Sequence, residues 1–68
     1  MTVGAQLKQT LANVRGARST LRLYAQQAQG EEERSAYSEA LQEIESVVKD
    51  LEDRLGVVEF SEPQYKGN

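Results

Sequence analysis

The chain has 68 residues, a formal net charge of −3, and neither cysteine nor histidine. A chain of this length forms one small domain that buries only about 60% of its unfolded surface, and here neither a disulfide nor a His/Cys metal site can staple it. The same two absences remove the commonest general base, the commonest metal ligand and the thiol nucleophile. Self-association or docking on a larger partner is what remains to stabilise it.

The first residues, Met1-Thr2-Val3-Gly4-Ala5-Gln6, offer neither the basic start nor the apolar stretch of a secretory leader. No apolar run approaches the roughly 18 residues of a membrane span. A cytoplasmic protein, not secreted and without a transmembrane segment, is the expectation.

Thr2 is placed to cap a first helix over about residues 3–29, its hydroxyl accepting from a first-turn amide. Val3, Leu7, Val14, Leu21, Tyr24 and Ala28 step by threes, fours or their sums, with Thr10 and Ala17 filling the gaps. That spacing puts one stripe on one helix face. Gly4 and Gly16 each cost about 1 kcal/mol relative to Ala in a helix. Ala5, Ala12, Gly16 and Leu23 share a second face of small residues, nearly opposite the first.

Gly30 is read as the turn, a left-handed helix stop, with Glu31, Glu32 and Glu33 favourably placed at the positive start of the next helix. The competing possibility is one continuous helix paired with another chain. Carrying the first stripe straight on would place Glu31 and Arg34 on it, which favours the hairpin.

The second helix is expected over about residues 31–55. Tyr37, Leu41, Ile44, Val48, Leu51, Leu55 and Val58 form its stripe, and Ala36, Ala40 and Val47 widen it beyond the needs of a simple hairpin. Glu45–Lys49, Lys49–Asp53 and Asp50–Arg54 are opposite charges at i,i+4, worth a few tenths of a kcal/mol each. Gly56 reads as the helix stop. The remaining stretch, about 57–68, alternates and contains Pro63, which points to an extended tail. Phe60 and Tyr65 are its aromatic anchors, docking it on the same hairpin or on a neighbour.

The predicted fold is therefore all-α: one domain over 1–68, an antiparallel two-helix hairpin with an extended C-terminal tail. Assembly into a four-helix bundle or larger helical homo-oligomer follows from the widened stripe. A turn at Gly30 makes facing residue numbers sum to about 61 or 62, setting Tyr24 by Tyr37, Val14 by Val48, Leu7 by Leu55 and Val3 by Val58. The hairpin core is then Val3, Leu7, Val14, Leu21, Tyr24, Tyr37, Leu41, Ile44, Val48, Leu51, Leu55 and Val58. The surfaces left for contacts are Ala5, Ala12, Gly16, Leu23, Ala40, Val47, Phe60, Pro63 and Tyr65.

Charge is split along the chain. Residues 1–30 hold Lys8, Arg15, Arg18 and Arg22 and no carboxylate, a net of +4, whereas residues 31–68 hold four cations against eleven carboxylates, a net of −7. The four cations of the first half lie within about 80° on the helix at 100° per residue. Their plain role is to lie against the acidic second helix, with Arg18 paired to Glu45. Their sharper role is a basic face for anionic membrane, or less readily nucleic acid, since the acidic half repels either polyanion.

No catalytic constellation is present. Ser19, Ser35, Ser38, Ser46 and Ser61 have no histidine to activate them, and the glycines form neither a dinucleotide fingerprint nor a phosphate loop. The carboxylates lack the Glu-x-x-His pattern of di-metal bundles. The chain is expected not to be an enzyme and to use no cofactor, metal or small-molecule substrate.

The two ends carry a family resemblance. Met1-Thr2-Val3-Gly4-Ala5-Gln6-Leu7-Lys8-Gln9-Thr10-Leu11-Ala12 and Glu59-Phe60-Ser61-Glu62-Pro63-Gln64-Tyr65-Lys66-Gly67 resemble the family called domain of unknown function 1657, very short proteins of spore-forming Firmicutes. The resemblance implies a sporulation context, a place in the forespore or spore interior and, as one partner, a spore membrane-associated protein. It supplies no site residues. The leading expectation is a non-enzymatic, self-associating structural or adaptor protein. The alternative is a binding module, using either the basic face or the C-terminal tail presented to a protein partner.

Overall fold

A computed structural model describes residues 2–61. Two helices, α1 (Val3–Gln27) and α2 (Glu31–Ser61), pack side by side as an antiparallel hairpin, with no strand among the described residues. The Cα trace measures 52 × 16 × 11 Å, so the hairpin is a slab one helix thick.

Thr2 caps α1 as its position requires: its Oγ1 accepts from the Ala5 amide at 3.0 Å, and its backbone is extended. The other end departs from expectation. The helix stops at Gln27, and Ala28 turns extended, with φ −63° and ψ 135°. Gly30 does not take the left-handed conformation, since no described glycine has positive φ. It caps α2 instead, its carbonyl accepting from the Arg34 amide at 3.0 Å, while a Glu33 carboxylate oxygen takes the Gln29 amide at 3.3 Å. The chain reverses through this extended segment, and no left-handed residue is needed.

A Cβ added at Gly30 meets nothing within 4 Å. Gly30→Ser is therefore expected to raise stability by about 0.5–1 kcal/mol, by supplying a capping hydroxyl and restricting the unfolded chain. An unchanged or lowered urea midpoint would show that Gly30 is needed for backbone freedom after all.

At the far end α2 runs straight through Gly56 to Ser61, so residues 57–61 are helical where an extended tail was expected. Gly56 costs about 1 kcal/mol in a helix. Continuation gains more: Val58 stays on the stripe, half-buried, and Glu59 reaches Lys8 at 3.1 Å. Phe60 is consequently a helical residue, 87% exposed and docked on nothing in its own hairpin. Pro63 and Tyr65, the remainder of the expected tail, lie outside the described residues.

The seam of α1 also differs in phase from the expected one. Both phases share Leu7, Val14, Leu21 and Ala28. The expected one completes them with Val3, Thr10, Ala17 and Tyr24, whereas the structure uses Gly4, Leu11, Arg18 and Ala25, which are buried or half-buried. Val3 is 57% exposed and Tyr24 45%, whereas Leu11 is 3% exposed and ties with Val48 as the most buried hydrophobic residue. Physically, Leu11 brings more apolar surface to the seam than Thr10, and one central leucine outweighs a terminal valine. The α2 stripe from Tyr37 to Val58 faces inward throughout.

Candidate interaction surfaces

In heptad terms, with a and d in the seam, α1 has a at Gly4, Leu11, Arg18 and Ala25 and d at Leu7, Val14, Leu21 and Ala28. Helix α2 has a at Arg34, Leu41, Val48 and Leu55 and d at Tyr37, Ile44, Leu51 and Val58. In an antiparallel pair the e positions of both helices line one broad face and the g positions line the other. The two faces of this hairpin are chemically opposite.

The e face is a ladder of ion pairs. Lys8, Arg15 and Arg22 occupy e on α1, and Glu59, Glu52 and Glu45 occupy e on α2. They pair at 3.1, 2.6 and 2.9 Å. In each pair the residue numbers sum to 67, so one register satisfies all three. These flanking pairs stand five or six above the sum of 61 or 62 expected for facing residues, while Arg18 and Glu45 meet at a sum of 63. The extended turn explains the offset, because it rises about 3.3 Å per residue against 1.5 Å in a helix and carries the start of α2 past the end of α1. The Tyr24–Tyr37 neighbourhood survives the change, with ring centroids 5.9 Å apart.

Arg18 sits at a, inside the seam. Its side chain is 23% exposed, its guanidinium reaches Glu45 at 3.5 Å, and its Nε is buried without a hydrogen-bond partner. Glu45 thus joins two arginines across the interface, leaving Lys49 to Asp53 at 3.7 Å instead of to Glu45. The expected Asp50–Arg54 pair forms at 2.9 Å. All four cations of the basic face, Lys8, Arg15, Arg18 and Arg22, are turned to carboxylates of α2. The face is neutralised by its own hairpin.

A groove of about 370 Å³ lies on this side, floored by Leu11, Leu55 and Gly56 and walled by the Lys8–Glu59 and Arg15–Glu52 pairs. Among the described residues no cluster of carboxylates is placed to hold a metal ion. No helix among them is long and apolar enough to cross a membrane.

The g face carries no such ladder. Val3, Thr10, Ala17 and Tyr24 on α1 face the side occupied by Ala40 and Val47 on α2, with Glu33 and Arg54 at the g positions beyond them and Arg54 held by Asp50 of its own helix. Among these Tyr24 is 45% exposed and Val47 46%, and Ala40 is half-buried. Ala36 stands exposed just outside them. The residues expected on a second small-residue face are placed differently: Ala5 is half-buried, Ala12 and Gly16 are exposed, and Leu23 is 50% exposed on the outer side of α1. They do not join the Ala40–Val47 surface.

Gly4, Leu11, Arg18 and Ala25 are the seam residues that the first stripe missed. Their signal was present as the seven-residue spacing of Lys8, Arg15 and Arg22 against that of Glu45, Glu52 and Glu59, which sets phase and register together.

A family model described as a protein of unknown function, DUF1657, matches residues 7–55. Among curated proteins and solved structures nothing matches the chain.

Proposed function

This chain belongs to the DUF1657 family of proteins of unknown function, and we propose that it is a non-enzymatic helical module that works by associating with itself, as a structural or adaptor component. One observation supports this above the others. Among the described residues only Leu11, Ala28 and Val48 are buried hydrophobic residues, and no side chain is wholly buried. A stable domain needs two packed layers around a core, and this slab has one. A second layer supplied by another copy completes it without disulfide or metal. The family resemblance supports a sporulation setting for this assembly, in the developing or dormant spore, with a membrane-associated protein as one partner.

The basic-face alternative is weakened by the pairing of all four cations with α2, because binding a polyanion requires breaking those pairs. Light scattering at micromolar concentration tests the main reading. The expected mass is at least twice that of the 7.6 kDa chain, with full helicity retained. A folded, cooperative monomer at those concentrations overturns it.

A further inference from the structure

We infer that the g face is the self-association surface, and that it takes a second copy of this chain in a two-fold arrangement with α1 laid on the partner's α2. The inference rests on the self-association proposed above and specifies its surface and symmetry. Among the described residues six large hydrophobic side chains are exposed: Val3, Leu23, Tyr24, Val47, Val57 and Phe60. Val3, Tyr24 and Val47 stand at g, and Val57 stands at c, the next position outward on the same side. Leu23 and Phe60 point to the outer edges of the slab, and none of the six stands on the ion-pair face.

Charge selects the occupant and its orientation. On the g side of α1 the g and c positions are Val3, Gln6, Thr10, Asn13, Ala17, Thr20, Tyr24 and Gln27, a full helix length without a charge. On the same side of α2, the g and c positions carry Glu33, Glu43 and Asp50 against one cation, Arg54, which is paired to Asp50 at 2.9 Å, so this side is net negative. A copy laid so that α2 meets α2 opposes two net-negative faces, with Glu33 and Glu43 unmatched by a cation of their own side. A dyad parallel to the helices lays α1 on α2 instead, where the amides and hydroxyls of Asn13 and Thr20 face the carboxylates and the two α2 helices sit on the diagonal. The contacts are isologous, so the assembly closes as a dimer with a four-helix cross-section.

The area is sufficient. About 24 overlapping residues at 1.5 Å each give roughly 36 Å of length, and two helices are roughly 20 Å wide. That is on the order of 700 Å² per chain, close to the roughly 800 Å² of a standard stable interface.

Substitutions on the two sides, read by sedimentation equilibrium and circular dichroism, test this. Val47→Glu is expected to raise the dimer dissociation constant at least tenfold, while Ala12→Glu, away from the g side, leaves it within about threefold. Since Val47→Glu also lowers helicity if folding and association are coupled, geometry is read separately. The chain has no cysteine, so Ala17→Cys and Val47→Cys chains can be mixed and oxidised. A mixed disulfide in preference to either homodisulfide is the expected result. Dominant homodisulfides, or dissociation caused by Ala12→Glu and not by Val47→Glu, overturn the arrangement while leaving self-association standing. A monomeric wild type overturns self-association itself.

Discussion

Leu11→Ala is expected to remove most of the cooperative stability of the hairpin. Leu11 is 3% exposed and shares the floor of the groove with Leu55 and Gly56. Truncating a buried leucine costs about 2–5 kcal/mol, the upper part of the range applying where neighbours cannot close the space. Gly56 has no side chain to move in, and the walls are held by the two ion pairs, so collapse is restricted and a loss of about 3 kcal/mol is expected. Small domains carry only about 5–15 kcal/mol in total, and a one-layer hairpin stands at the low end. Urea unfolding followed by helicity checks this, with Leu23→Ala as the comparison: Leu23 is 50% exposed, and its loss is expected to stay below about 1 kcal/mol. Equal midpoints for the two variants would mean that Leu11 is not central to the seam.

Two helices, their antiparallel order and the whole α2 stripe were legible in the 3-4 spacing, because that spacing survives any error in the turn. The phase of α1 was not, for a specific reason. Its two candidate stripes share four residues and differ at Val3 against Gly4, Thr10 against Leu11, Ala17 against Arg18 and Tyr24 against Ala25. Counting apolar residues favours the first set, since Gly4 and Arg18 look out of place in a seam. Arginine, however, has a long aliphatic stem that packs along apolar surface while its head reaches out. Here the head finds Glu45. A charged residue was admissible at a because an acid stood at the neighbouring e position.

The helix ends were least legible, since both turn on glycine. Glycine is compatible with a left-handed stop, an N-cap and a tolerated helical position alike, and Gly30 and Gly56 adopt the second and third. The tie at Gly56 is broken by Glu59, whose partner Lys8 lies 51 positions back in the chain and outside any local pattern. Register failed with the turn, for the same reason. Of the surfaces, Ala40 and Val47 were visible as excess width on α2. Their union with Ala17 and Tyr24 depends on the corrected phase, which moves both α1 residues out of the seam and onto the g face.

Arg18→Leu is expected to stabilise the hairpin by about 1–2 kcal/mol while loosening its specificity. Arg18 is the one charged residue of α1 at a seam position. Its buried Nε has no partner, and an unmet buried donor costs about 1–3 kcal/mol. Leucine removes that group and adds apolar contact at the level of Val48. What is lost is one pair to Glu45, whose side chain is 47% exposed; solvent screening holds such a pair to under about 1 kcal/mol. Glu45 is not orphaned either, since Arg22 still holds it at 2.9 Å. Replacing buried ion pairs by apolar residues is commonly neutral or stabilising for this reason. The counterpart is that a polar group in a helical seam discriminates between registers and oligomer states. With leucine there, the seam of α1 runs apolar from Leu7 to Ala28 and accepts shifted or larger assemblies. Thermal unfolding should therefore show a raised midpoint for Arg18→Leu, and light scattering a broader mass distribution than the wild type. A lowered midpoint would mean that Arg18 holds the seam together, and a raised midpoint with a single unchanged mass would mean that the three e-face pairs suffice to set the register.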